Sequence, residues 1–195
     1  MNRSLMIIAG YLAAGKTTFG LNLSRELNIP FFSKDLLKNT MDKSLPIHDR
    51  AESKRLSAAA FDVMAFAAEE LMAAGMPLIL EANFRMGENH NHLKEGDVLK
   101  ALAERYGYRM LTYLFLGDPQ VLYQRLIERD RRPGRGVANQ IWEDISYDDF
   151  VETVRPLGEF DIGGERVKID TTDLESIDFS RHIETARSFM DENRD

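Results

Sequence analysis

Residues 10–17 read Gly-Tyr-Leu-Ala-Ala-Gly-Lys-Thr, a complete GxxxxGK[ST] pattern, and this run constrains the fold more than any other. It follows the apolar run Leu5-Met6-Ile7-Ile8-Ala9, long enough for one buried strand, and precedes Thr18–Leu27, which carries apolar residues at helical spacing. A strand, a glycine-rich turn and a helix in that order form a phosphate-binding loop. Backbone N–H groups of the turn and the positive end of the helix attract a polyphosphate. The reading places Gly10, Ala13, Ala14, Gly15, Lys16, Thr17 and Thr18 on the nucleotide. Lys16 reaches the β- and γ-phosphates, and the Thr17 hydroxyl ligates Mg²⁺. The bland alternative is a turn that merely joins strand to helix.

Around this motif the chain alternates short apolar runs with helical patterns. Strands are expected at 4–9, 30–33, 77–82, 109–116 and 166–170, and helices at 16–27, 51–75, 93–106, 118–130 and 178–191. Such alternation predicts an α/β class chain: a three-layer α/β/α fold with a five-stranded parallel sheet. Gly75-Met76-Pro77 and Gly107 punctuate helix ends, and Asp118-Pro119 reads as a helix start. A length of 195 residues suits a single domain, 1–195. Residues 36–50 and 128–140 break the pattern and read as irregular loops at the carboxyl ends of strands, where open sheets bind ligands.

Three groups of polar residues extend the reading. Asp35 directly follows the second strand, where a carboxylate can orient or deprotonate an acceptor hydroxyl. Its plainer role is to cap a helix starting there, and the two roles are compatible. Glu81 closes the apolar run Leu78-Ile79-Leu80, the position of an acidic residue acting on Mg²⁺ through water. A structural carboxylate paired with an arginine is the alternative. Asn83 and Arg85 continue from it towards the acceptor, as does Lys38 beside Asp35. The third group is arginine-rich. Arg125 and Arg129 share a helix face, and Arg131, Arg132 and Arg135 lie among glycines 134 and 136. They read as a lid at about 128–140, with Arg125 and Arg129 on the transferring phosphoryl group and Arg132 on the nucleotide. The alternative is solvated surface charge. Asp170 ends the last strand near the expected adenine.

The other signals bound the partners. A net charge of −7 disfavours a nucleic-acid surface. There is no cysteine, which excludes disulfides and thiolate chemistry and fits a reducing compartment. Arg3 and Leu5–Ala14 resemble a short leader, but the same residues are accounted for by the first strand and its loop, so a cytoplasmic protein is expected. No apolar run reaches the roughly 18 residues of a membrane span. Asn89-His90-Asn91-His92 reads as a polar loop in preference to a metal site. Trp142 and Tyr147–Phe150 either shape the acceptor pocket or pack.

Together, Gly10–Thr17, Ser33-Lys34-Asp35-Leu36-Leu37-Lys38, Leu80–Phe84 and Arg125–Arg129 resemble the small P-loop kinases of the zeta-toxin and polynucleotide-kinase-like group, AAA-type predicted kinases. The resemblance implies that Asp35 is the base for the accepting hydroxyl. Where that group often has arginine, this chain has Lys38, which can ion-pair but makes no bidentate fork. The group phosphorylates sugars, nucleotide sugars, nucleic-acid ends and antibiotics. The expectation is an ATP- and Mg²⁺-dependent kinase acting on a hydroxyl of a small molecule. A regulatory nucleotide-binding switch without acceptor, or a polynucleotide end kinase, are the rivals. The oligomeric state is left open.

Overall fold

The computed structural model describes residues 2–89, 92–130 and 145–192. The first strand, β1 (Ser4–Gly10), is buried along its whole length. Its odd and even residues serve opposite layers, as strand geometry requires. Met6 and Ile8 join a cluster with Phe19, Leu23, Leu122 and Phe189, whereas Leu5, Ile7 and Ala9 join Phe61, Met64, Leu99 and Ala103. A strand covered on both faces must be apolar throughout, and this one is.

β1 passes through the phosphate loop into α1 (Lys16–Leu27) and then β2 (Phe31–Ser33). α2 (Lys34–Asp42) and α3 (Arg50–Ala73) lead to β3 (Leu78–Glu81). A short antiparallel pair, β4 (Glu88–Asn89) and β5 (His92–Leu93), precedes α4 (Glu95–Tyr106) and β6 (Arg109–Leu116). α5 (Pro119–Asp130), α6 (Tyr147–Val154), a 3₁₀ turn (Arg155–Glu159), β7 (Glu165–Asp170) and α7 (Phe179–Asp191) complete the described chain. The five long-range strands are all parallel, in the order β2-β3-β1-β6-β7. Helices cover both faces, so the expected three-layer α/β/α architecture is the observed one.

The local signals hold at several ends. Asp118 Oδ1 accepts from the amides of Gln120 and Val121 at 2.9 and 3.1 Å and so caps α5. Gly107 ends α4 with φ +67°. No helix among the described residues is long and apolar enough to cross a membrane.

Four expectations need correction. Residues 36–50 are not wholly irregular, because α2 occupies 34–42. That helix is only nine residues long and mostly polar, too short to show a clear period. Its start is fixed by Ser33, whose hydroxyl accepts the Leu36 amide; Asp35 lies in the first turn and is not the cap. α6 and the 3₁₀ turn also formed where no element was expected, with Phe150 fully buried against Tyr123, so Phe150 packs. The helix expected from residue 93 begins at Glu95, since Leu93 pairs in β5.

Candidate phosphoryl-transfer site

The site lies at the carboxyl ends of β1, β2 and β3. Gly10 ends β1 with φ +116°, and Ala13 and Gly15 also take left-handed conformations, at +57° and +84°. This backbone turns the chain sharply enough to start α1 at Lys16. Gly15 stands at the α1 N-cap without a side-chain cap. The first-turn amides of α1 are thereby left for an anion, the physical basis of phosphate binding at helix N-termini. Ala14 is buried beneath the loop and Thr18 is exposed on α1.

Lys16 is the electrostatic centre. Its ammonium donates to the carbonyls of Gly10 and Tyr11 at 3.2 and 2.5 Å. Burial holds its pKa below the ordinary lysine range. Glu81 and Asp35 oppose that shift, and Arg129 and Lys34 add to it. Four charged side chains from three other elements therefore act on one ammonium. β3 supplies Glu81, α2 supplies Lys34 and Asp35, and α5 supplies Arg129. Glu81 and Asp35, 46 positions apart by subtraction of their numbers, are brought together because β2 and β3 are neighbours and both end here.

Glu81 is 2% exposed. Its Oε2 accepts from the Ser33 hydroxyl at 2.5 Å and from the Thr17 hydroxyl at 3.1 Å. Burial is the main cause that raises its pKa. Lys16 pulls it down, Asp35 pushes it up, and the two hydroxyls pull it down. The alternative of an arginine-paired carboxylate is not what the described residues show: Glu81's side-chain hydrogen bonds run to hydroxyls. Thr17 and Glu81 thus present hard oxygen donors side by side at the foot of the phosphate loop, a donor set that fits Mg²⁺.

Asp35 is exposed in the first turn of α2, within electrostatic reach of Lys16, Glu81 and Lys38. Lys38 lies one turn on, half-buried, and donates to Ser53 of α3 at 2.6 Å. Burial depresses its pKa, with Asp35 opposing. Asn83 follows Glu81 and holds a buried side-chain oxygen that has no hydrogen-bond partner among the described residues. Arg85 is exposed, and its carbonyl accepts the Gly96 amide at 3.0 Å. That contact joins the loop after β3 to α4, and Lys34 strengthens the join through an ion pair with Glu95 at 2.6 Å.

The two arginines of α5 part company. Arg125 donates to the carbonyls of Thr171 and Thr172, the latter at 2.7 Å, and so is engaged by the loop after β7. Arg129 Nε meets Asp130 Oδ1 at 2.8 Å and acts electrostatically on Lys16. Asp170 turns its carboxylate onto Thr172, accepting from its amide at 2.9 Å and its hydroxyl at 2.6 Å; those bonds hold its pKa low. The same loop reaches the phosphate loop at Leu174, whose Cδ2 lies 3.6 Å from where a Gly15 Cβ would stand. Arg131, Arg132 and Arg135, most of the expected lid, and Trp142 lie outside the described residues, as do His90, Asn91 and the His92 side chain. Ser33 and Lys34 were quoted only as part of the second-strand motif, with no role assigned, and Glu95 and Leu174 were not singled out from the sequence. Only Ser33 carried a local signal, as a serine directly before a helix.

A family model described as an AAA domain matches residues 5–146, well over half of the chain. The chain belongs to the AAA domain family. The match runs from β1 through α5, so it includes every site residue named above except Asp170 at the end of β7 and those of the loop after it. Among solved structures, this AAA domain is similar to a protein from Chloroflexus aurantiacus provisionally named a kinase. The two share 25% identity over 98% of each chain, with a TM-score of 0.80. A sugar kinase from Janibacter sp. shares 15% identity over 96% of this chain and 94% of its own, TM-score 0.57. A shikimate kinase from Bacteroides thetaiotaomicron shares 16% over 96% and 98%, TM-score 0.53. The AAA domain described here therefore has a P-loop kinase fold. No curated protein matches the chain.

Proposed function

We propose that this protein is an ATP- and Mg²⁺-dependent kinase that phosphorylates a hydroxyl of a small molecule, within the zeta-toxin and polynucleotide-kinase-like group. The observation that carries this reading is the convergence of Asp35, Glu81 and Arg129 on Lys16. A nucleotide switch needs the phosphate loop and the metal carboxylate. It has no need of a second, exposed carboxylate on the acceptor side of the loop.

In this reading Lys16 and the loop amides hold the phosphates. Thr17 and Glu81 would hold Mg²⁺, which would supply charge neutralisation to the phosphates. Asp35 accepts the proton of the acceptor hydroxyl as its oxygen bonds to the γ-phosphorus and the bond to the ADP oxygen breaks. Arg129 faces the same phosphates, where a guanidinium stabilises charge that grows in the transition state. Lys38, Asn83 and Arg85 line the acceptor side, and the loop at Asp170 borders the base. One domain spans the chain, Arg129 stands where an arginine-rich lid begins, and the protein works in the cytoplasm on a small acceptor. The net charge of −7 supports a small acceptor over a nucleic-acid end.

ATP consumption measured across sugars, hydroxy acids, nucleosides and 5′-hydroxyl oligonucleotides tests this. One small acceptor should stimulate turnover. Lys16→Ala should abolish transfer and weaken nucleotide binding. Asp35→Asn should bind nucleotide normally while transfer falls about 10²–10⁴-fold, the range of a general base. Turnover indifferent to every acceptor would return the protein to the switch reading, and stimulation by oligonucleotide alone to the end kinase.

A further inference from the structure

Ser33 is the point at which β2, β3 and α2 meet. It is 2% exposed, as is Glu81. The parallel register of β2 and β3 sets the two residues directly opposite one another. A serine hydroxyl has one proton and two lone pairs. Here the proton goes to Glu81 Oε2 at 2.5 Å, and a lone pair takes the Leu36 amide of α2 at 3.4 Å. The first contact is charge-assisted and shielded from water, and therefore stiff. The second closes the first turn of the helix that carries Asp35 and Lys38.

Thr17 donates to the same oxygen of Glu81 from the other side. Thr17 belongs to the phosphate loop, whereas Ser33 belongs to the sheet. The sheet-side donor is the one that can fix the carboxylate independently of the loop. We propose that Ser33 is a positioning residue that couples the Glu81 carboxylate to the α2 helix, so that the metal side and the acceptor side of the site are set by one hydroxyl. The inference rests on the phosphotransfer reading for the role of Glu81, and on the two hydrogen bonds for the coupling itself. A Mg²⁺·nucleotide complex seated at Thr17 and Glu81 then orders the first turn of α2 before any acceptor arrives.

The test uses the whole chain and a non-hydrolysable ATP analogue. Calorimetry gives its affinity with EDTA and with MgCl₂, and amide exchange gives the protection of residues 34–38. Ser33→Gly is the key variant. Glycine at an N-cap keeps most of the helix stability but has no hydroxyl. Ser33→Ala and Ser33→Thr flank it. Losing the partner that orients a metal-side carboxylate costs about 10–100-fold in metal affinity. The Mg²⁺-dependent gain in nucleotide affinity should therefore fall about 10–100-fold in the Gly and Ala variants, with metal-free affinity unchanged, and Thr should restore it. Added Mg²⁺ and analogue should slow exchange at the first turn of α2 in the wild type and the Thr variant only. A full Mg²⁺ gain in both Gly and Ala variants, or the same slowing of exchange without the hydroxyl, overturns the proposal. Capping alone would not move the Mg²⁺ gain. A wild-type chain that binds no analogue refutes the phosphotransfer reading instead. The exchange measurement then still decides the coupling: Glu81→Ala speeds exchange of the Leu36 amide if Ser33 links the two, and an unchanged rate refutes the link.

Discussion

Arg125 and Thr172 are joined across the top of the sheet. The Arg125 guanidinium, on α5, donates to the Thr172 carbonyl at 2.7 Å and also to that of Thr171, directly after β7. One helical turn later, Arg129 addresses Lys16 instead. A shared helix face has thus been divided between two neighbours, the loop after β7 and the phosphate loop.

That division predicts different losses. Thr171 is fully buried, so Arg125→Ala strands carbonyls that water reaches poorly. Hydrogen bonds from a charged donor contribute about 1.5–3 kcal/mol each, and the pair shares one side chain. We expect a loss of about 1.5–3 kcal/mol in urea unfolding, with weaker nucleotide binding as the loop loosens. Arg129→Ala should also cost stability, because its ion-pair partner Asp130 is 1% exposed and would lose that pairing, but its distinguishing effect should be to lower turnover more than nucleotide affinity. The reverse pattern would exchange the roles of the two arginines.

The two glycines of the phosphate loop are expected to fail in different ways. A Cβ at Gly10 would stand 2.1 Å from the Phe115 carbonyl oxygen of β6, at φ +116°. Neither strand can yield, because both are central in the sheet. At Gly15 the nearest atom is Leu174 Cδ2 at 3.6 Å, ordinary contact, and only φ +84° is strained. Backbone strain of that kind costs about 1–3 kcal/mol. Gly15→Ala should fall in that range by urea unfolding, and Gly10→Ala should exceed about 3 kcal/mol or fail to give folded protein. Equal costs would show that the β1–β6 contact relaxes more readily than its geometry indicates.

The inner strands of the sheet were legible as largely apolar runs and the edge strand β7 from its alternating Val167 and Ile169, and the phosphate loop because eight adjacent residues specify it. Asp35 and Glu81 were legible as strand-end carboxylates. What could not be read were pairings that depend on strand order. Lys34 and Glu95 are 61 positions apart and meet at 2.6 Å only because the α2 and α4 starts converge beside β3. Ser33 and Glu81 meet only because β2 lies next to β3. The turn of Arg125 towards Thr171 and Thr172 follows from β7 lying beside β6, and no local periodicity encodes that. α2 was foreseen only as a helix that Asp35 would cap, and its extent was missed for a different reason. Its apolar face is short and is completed by α3, with Met41 packed against Ile47 and Leu56.

His182 of α7 gives the fold a pH dependence away from the site. Its ring stands edge-on to Phe19 and Tyr113, with centroids 6.5 and 6.2 Å away. Burial, with help from Arg181, holds its pKa below the ordinary 6.5, and Asp178 opposes. The unfolded chain therefore binds the His182 proton at a higher pH than the folded chain does. Between the folded value and 6.5 the unfolded state carries more protons, so stability rises with pH through that window and is lost as pH falls below 6.5. Tyr113 donates its hydroxyl to the His182 carbonyl at 2.6 Å, a bond that a backbone-preserving substitution keeps. Urea unfolding of the wild type and His182→Gln at pH values either side of 6.5 should show a shallower acid decline in the variant. At neutral pH the variant should be the less stable, because it gives up the imidazole's packing against the two rings. Parallel curves across the window would assign the acid sensitivity to other groups.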